Sequence, residues 1–490
     1  MRRHFLGVLL ISALTVTTAV AGTYPASPLV AASPQGSSPF TSCAVGADTN
    51  STLYTSGEVE PSVATNPSNA LSAVGAWQQD RWSDGGSKGV SSAYTTDGGQ
   101  TWVVNPLTHT STCSGGPSYE RATDPWVTFT PNGTAFLFTA SFNQVADLTN
   151  AMLVTKSTDG GATWGAPTTL IRDTNPHVFN DKNSITADPN HEGYVYATWD
   201  RLVYPNERTK GKSYEHAAAY KGPTYFTRTL DGGATWEAAH KILDPGRNNQ
   251  TIGNQIAVLP HANGFNGELI NVFDLINNRN KQGLKGLRVA VMRSSDHGAT
   301  WGRPIIVGNL GTAGVTDSDT GHAVRTGDII PDIAVDPISG TIYVVWQDAR
   351  VSNGDHDGIV LSKSTDGGIT WSEPVQVNQA PQVPAFTAAV EVASDGTVGV
   401  SYYDFRFNTT DPNSLPTDHW LVHSHDGGLT WSETRITPTS FDMQQAPDAG
   451  GFFLGDYEGL DNIGSDFLSF FARGNSSADP TTIYSSVISP

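Results

Sequence analysis

The chain has 490 residues, of which 50 are glycine and only two are cysteine, and it carries a formal charge of −19 at neutral pH. Such acidity repels nucleic acid and anionic lipid surfaces, so an anionic ligand would need a local group of arginines. Helical periodicity is scarce and turn residues recur almost throughout, which points to an all-β chain.

In chain order, residues 1–21 read as a secretory signal. Arg2 and Arg3 open it, Phe5 to Val20 are mostly apolar, and Ala19-Val20-Ala21 offers a cleavage site before Gly22. No later segment approaches 18 consecutive apolar residues, so the expectation is an exported protein cleaved after Ala21, without membrane insertion. Residues 22–55 read as a flexible leader, rich in Pro, Ser, Ala and Gly as far as about Phe40. Its end, between Cys43 and Thr55, is expected to complete the last sheet. Cys43 and Cys113 are expected to pair in an oxidising compartment. C-x-x-C spacings are absent from the sequence, so zinc is not suggested.

From residue 95 onward one signature, roughly S/T-x-D-x-G-x-T-W, occurs six times. Its aspartates are Asp97, Asp159, Asp231, Asp296, Asp366 and Asp426, and its tryptophans are Trp102, Trp164, Trp236, Trp301, Trp371 and Trp431. The aspartates lie 62, 72, 65, 70 and 60 residues apart, the size of one four-stranded sheet with its loops. A carboxylate can accept several of the N–H groups that a hairpin turn leaves unpaired. The glycines supply positive φ, and the Trp covers the turn. The copies are therefore read as folding staples, not as catalytic groups. The pattern resembles the Asp box, or bacterial neuraminidase repeat, of the sialidase superfamily.

The period and the resemblance both imply a β-propeller of four-stranded antiparallel blades, spanning 56–490. First strands start near Glu60, Asp124, Asp181, Gln255, Asp332, Ala388 and Asp456. Seven blades are expected, with six as the alternative.

Four second strands end in an aromatic residue followed by Asp and Arg: Asp80-Arg81, Asp200-Arg201, Asp348 with Arg350, and Asp404 with Arg406. These groups would ring one mouth of a central channel, either as a site or as ion pairs tying blades together. The resemblance implies a retaining glycoside hydrolase with a Tyr nucleophile and an arginine clamp on an acidic sugar. On that basis Tyr457 is the nucleophile candidate and Glu391 its partner, with Asp80 or Asp124 as acid/base. Arg81, Arg201, Arg350 and Arg406 are the substrate-binding candidates. The F/Y-R-I/L-P motif of sialidases is missing. Strand alternation would send Asp456 and Glu458 to one face and Tyr457 to the other unless a bulge intervenes.

The run Asn353, Asp355, Asp357 with its glycines matches the opening of a calcium loop, although no Glu sits at the twelfth position. Asp317 and Asp319 form a weaker copy. No cofactor is required by this reading, and any calcium would be structural. The expected function is a secreted carbohydrate-active protein, a sialidase-like glycoside hydrolase acting at the channel mouth on a glycan or polysaccharide. The chain is expected to be a monomer. The alternative is a non-catalytic propeller that binds a polysaccharide or protein partner.

Overall fold

The computed structural model describes residues 28–48, 50–145, 147–204, 221–277 and 286–490. The expected signal segment 1–21 lies outside the described residues, as does the start of the leader. Among the described residues every regular element is a β-strand, apart from two short 3-10 turns at Ala349–Ser352 and Met443–Gln445.

The strands pair antiparallel in consecutive runs. The first run is Leu53–Asn66, Asn69–Trp82, Ser87–Thr95 and Val103–Asn105. The second is Arg121–Phe129, Ala135–Phe142, Asn150–Ser157 and Thr168–Asp173. The third is Val178–Ala187, Val195–Val203, Thr224–Thr229 and His240–Leu243. The fourth is Asn249–Val258, Leu269–Asn277, Gly286–Ser294 and Ile305–Leu310. Asp332–Val335 opens the fifth, Ala385–Val392 the sixth and Gly459–Ile463 the last. The first strand of each run packs against the first strand of the next, and Gly459–Ile463 packs back against Leu53–Asn66. These inner strands therefore close a ring. Second strands such as Ile342–Asp348 are buried along their whole length, because each is covered on both faces by neighbouring sheets. Trp77, Trp199 and Trp346 fill the space between sheets and are fully buried.

The last sheet is completed by Val30–Ala31, which pairs with Ser485 and Tyr484 of the final strand. This corrects the expectation that residues between Cys43 and Thr55 would do so. The described part of the leader is also docked, not loose. Ala32 N–H donates to the Ile483 carbonyl, Ser33 bonds Glu58, and the Ser38 hydroxyl donates to Asp80 at 2.6 Å. Phe40 is buried, and Cys43 is bonded to Cys113 with the two Cα atoms 5.6 Å apart. Composition misled here because a few serine hydroxyls and two buried side chains suffice to hold a polar segment on a ready-made sheet edge.

The six repeated turns share one hydrogen-bond pattern. At Asp97 the carboxylate accepts the Thr95 hydroxyl at 2.7 Å, the Thr101 N–H at 2.9 Å and the Thr101 hydroxyl at 2.6 Å. Asp159, Asp231, Asp296, Asp366 and Asp426 repeat it. These bonds hold the Asp97 and Asp231 carboxyls down at about 2, the threonine hydroxyl contributing most. The tryptophan reaches back to the preceding sheet: Trp102 donates to Ser485 and Trp164 to Ser92.

Candidate functional site

The inner strands are not regular. Five of them skip register at corresponding places: Val59/Ser62, Thr123/Trp126, Asp181/Ser184, Ile252/Gln255 and Phe386/Ala389. The extra residue in each bulge is left-handed: Glu60 at φ 53°, Asp124 at 52°, Lys182 at 44°, Gly253 at 69° and Thr387 at 49°. Glycine relieves the strain at one of these positions only. Backbone strain of this kind concentrates where side chains must be aimed.

The bulges bring their side chains together. Lys182 Nζ stands 2.7 Å from Asp456 Oδ2, 3.2 Å from Glu60 Oε1 and 3.6 Å from Asp124 Oδ2. Arg325 grips Asp456 through both Nε and Nη2. It comes from a short ladder, Val315–Thr316 with Ala323–Arg325, inserted between the fourth and fifth runs and paired parallel with Phe452–Phe453. The Phe453 ring lies under two guanidinium groups, Arg325 at 4.4 Å and Arg81 at 5.0 Å. Arg81 donates to Gln78 Oε1 at 3.0 Å, and Gln78 donates in turn to Glu60 and Thr123.

Two adjoining cavities open onto this group. One, of about 470 Å³, is lined by Arg81, Asp124, Asp181 and Arg325 with Phe142, Phe179 and Tyr204. The other, of about 430 Å³, shares Arg325 and adds Lys182, Ile252 and Asp456. The carboxyls here are driven in opposite directions. Burial lifts Glu60 to about 8 against the pull of Lys182. Burial, reinforced by Asp124, lifts Asp181 to about 7. For Asp124 burial is outweighed by Lys182, and the carboxyl stays below its ordinary value. Asp456 is held well below its own against burial, chiefly by Arg325 and then by Lys182. Burial thus keeps Glu60 and Asp181 protonated to higher pH than Asp124 and Asp456, which the neighbouring cations hold ionised. Asp181 Oδ2 is buried without a hydrogen-bond partner among the described residues.

Of the residues singled out from sequence, Arg81 and Asp124 line the first cavity. Asp80 does not: its carboxylate accepts the Ser38 hydroxyl and the Ser56 N–H and faces Lys88. Arg201 is paired with Asp173, Arg350 with Asp348, and Arg406 with Asp404 and Glu433. Tyr457 is on an irregular bend before Gly459–Ile463, not on an axial strand, so simple alternation does not govern it. Its hydroxyl donates to the Pro125 carbonyl at 3.3 Å, its ring packs on Trp126, and it lines neither mouth cavity. Glu391 accepts from Asn462 and lies by Asp461 and Asp332, whereas the acids acting on Tyr457 are Glu60 and Asp124. No hydrogen bond joins Glu391 to Tyr457 among the described residues.

The calcium-loop side chains point apart. Asp355 is 84 % exposed, whereas Asp357 is buried against Thr312 and the Ala313 N–H, and Asn353 is the left-handed cap of a 3-10 turn. Asp317 accepts the Asp319 N–H and Gln444, as a turn residue does.

Sequence reasoning missed Lys182 and Arg325. Lys182 was findable, since it aligns with Glu60 and Asp124 at the start of a first strand. Arg325 sits in an insertion with no repeat to align it against.

No family model matches the chain. Over 188 residues it is 29% identical to a sialidase of Bacteroides fragilis (strain YCH46). Over that stretch the chain resembles a sialidase. That match covers 34% of this chain and 32% of the Bacteroides protein, so it spans about a third of the curated relative's length. Among solved structures, a Hadza microbial sialidase aligns with a TM-score of 0.48 and 18% identity, over 86% of this chain and 74% of that one. An α-L-arabinofuranosidase of Fusarium graminearum aligns with a TM-score of 0.47 and 12% identity, over 96% and 98%. No helix among the described residues is long and apolar enough to cross a membrane.

Proposed function

We propose that this chain is a secreted, sialidase-like glycoside hydrolase, folded as a propeller of seven four-stranded blades, that works on a glycan at the channel mouth. The closed ring of inner strands and the repeated turns support the blade count. The disulfide is consistent with export.

One observation carries the catalytic reading. A single cavity places Arg81 and Arg325 beside two buried carboxyls, Asp124 and Asp181, whose environments push their protonation apart. Such a divided pair assigns its own roles. Asp181, whose carboxyl burial lifts to about 7, donates its proton to the departing glycosidic oxygen as the C–O bond breaks, and a water then adds to the anomeric carbon and returns a proton to Asp181. Ionised Asp124 stabilises positive charge on the sugar ring. Arg81 and Arg325 receive an acidic group or hydroxyls, and Phe142, Phe179 and Tyr204 offer apolar surface to the ring faces.

The test is turnover of a panel of methylumbelliferyl glycosides, sialosides included, by wild type and two variants. Asp181→Asn is expected to lower kcat by about 10² to 10⁴ with little change in KM, as loss of a general acid does. Arg325→Lys is expected mainly to raise KM. A folded protein that turns over nothing, yet binds glycans, would replace this reading with that of a non-catalytic binding propeller. Of the ion-paired arginines only Arg201, bonded to Asp173 of the preceding run, ties two runs together as that second reading anticipates, whereas Arg350 and Arg406 pair within their own run.

A further inference from the structure

The third and fourth runs meet again at the end remote from the mouth. Asp188 and His191 lie in the turn between Val178–Ala187 and Val195–Val203. His297 lies in the turn between Gly286–Ser294 and Ile305–Leu310. One ligand atom from each of the three lies within 4.8 Å of the others, and among the described residues no other group of three His, Cys, Asp or Glu does this. The His191 and His297 rings are 5.1 Å apart, and the His261 ring stands edge-on to His191 at 5.4 Å.

His297 is the informative residue. It occupies the fourth copy of the repeated turn, at φ 56°. The matching residues in the other five copies are Gly98, Gly160, Gly232, Gly367 and Gly427, with φ between 70° and 74°. A side chain is strained there and contributes nothing to the turn, whose bonds run through Asp296, Ser294 and Thr300. The imidazole is thus free to serve something other than the turn, and its Nδ1 is buried without a hydrogen-bond partner among the described residues. The neighbours are prepared to hold ligands still. Asp188 accepts the Tyr196 hydroxyl at 2.8 Å and the Asn190 N–H at 2.8 Å. His191 stacks on Tyr194 with ring centroids 4.6 Å apart, and Arg228 ties the His297 carbonyl to the third run. Outer partners of this kind orient metal ligands.

We propose that Asp188, His191 and His297 bind a divalent transition metal, zinc by the chemistry of two imidazoles and one carboxylate. Small ring rotations bring the three donors to the roughly 2.0–2.1 Å bonds that zinc makes, and His261 or a water completes the tetrahedron. The site clamps two neighbouring sheets on the face away from the mouth. It escapes sequence patterns because its ligands are gathered by the packing of two neighbouring runs, not by spacing along one segment.

The experiment uses the full chain without a histidine tag, stripped with a chelator and titrated with Zn²⁺ against a chromogenic competitor, with bound metal measured by elemental analysis. Wild type is expected to hold one zinc per chain and to melt at higher temperature when loaded. His297→Gly restores the residue found in the other five turns, and His191→Phe keeps the stacking on Tyr194, so both should fold. Each is expected to weaken zinc binding at least tenfold and to abolish the thermal shift, while Ca²⁺ shifts none of the three proteins. Absence of stoichiometric zinc on folded wild type, or a His297→Gly variant that binds as wild type does, would overturn the proposal.

Discussion

Lys182 shows what a single residue does in this fold. Its ammonium serves three buried carboxyls at once, and only two of them can remain ionised beside it and Arg325, so Glu60 keeps its proton. Tyr457 borders the same group. Its hydroxyl bond to the Pro125 carbonyl makes it a packing residue, so Tyr457→Phe should cost about 1 kcal/mol of stability and leave glycoside turnover within a factor of a few. A loss of several orders of magnitude with an intact melting curve would restore the tyrosine as nucleophile. Asp274, outside the Lys182 group, offers a cleaner test of burial. One of its oxygens accepts the Arg288 N–H at 2.8 Å, the other has no partner among the described residues, and burial raises the carboxyl to about 8. In the unfolded chain it ionises near 4. Between those values the folded form holds the extra proton, so stability falls as pH rises from about 4 to about 8. Asp274→Asn should therefore gain on the order of 2 kcal/mol at pH 8 and nothing at pH 4 in urea melts. Equal gains at both pH values would show that the carboxyl was not the cause.

At the scale of elements, the repeated turn joins two sheets as well as closing one. Trp164 is buried, and its indole N–H reaches Ser92 of the preceding run. Trp164→Ala should cost about 3–5 kcal/mol, the range for emptying a large buried site, with catalytic constants unchanged in the folded fraction. Trp371 is only partly buried and bonds within its own turn, so its truncation should cost less. If the two substitutions were equally mild, the tryptophans would not be the staples between sheets. The Cys43–Cys113 bond, with a sequence separation of 70, fastens the docked leader to the loop after the first run. Replacing both cysteines with serine should cost about 2–4 kcal/mol in thermal melts, and more if the leader releases Asp80. An unchanged melting temperature would mean that the hydrogen bonds of Ser33 and Ser38 hold the leader without it.

For the whole molecule the charge pattern sets a stability optimum. Asp97 and Asp231 are held at about 2, so their stabilisation is present above pH 4 and lost as pH falls from about 4 to about 2. Glu60, Asp181, Asp274 and Asp332 are raised to about 7 or 8 and act in the opposite sense, weakening the fold as pH rises from about 4 to about 8. Melting temperature should therefore peak in weak acid, between about pH 4 and pH 6, and decline on both sides. A profile that rises steadily through pH 8 would contradict the burial of these carboxyls.

What the chain order alone determined is the chemistry that stays within a few residues. The Asp, Thr and Gly of each repeated turn bond to one another across four positions, so their spacing is itself the structure, and it recurs often enough to reveal repeating sheets. The alternation of a buried second strand with these turns is local in the same sense. The ring had to close before anything else was decided. Closure carries Val30–Ala31 onto the final strand and brings Lys182 to Glu60 and Asp456 across 122 and 274 positions of sequence, and the packing of neighbouring runs sets His297 beside His191. The bulges that aim the mouth residues are single left-handed positions, and a residue such as Lys182 carries no local mark of that conformation. Arginines at matching strand ends looked equivalent in sequence, yet only Arg81 reaches the mouth. The others are caught by nearby carboxylates, and which carboxylates are near is settled by the packing of sheets, not by the order of residues.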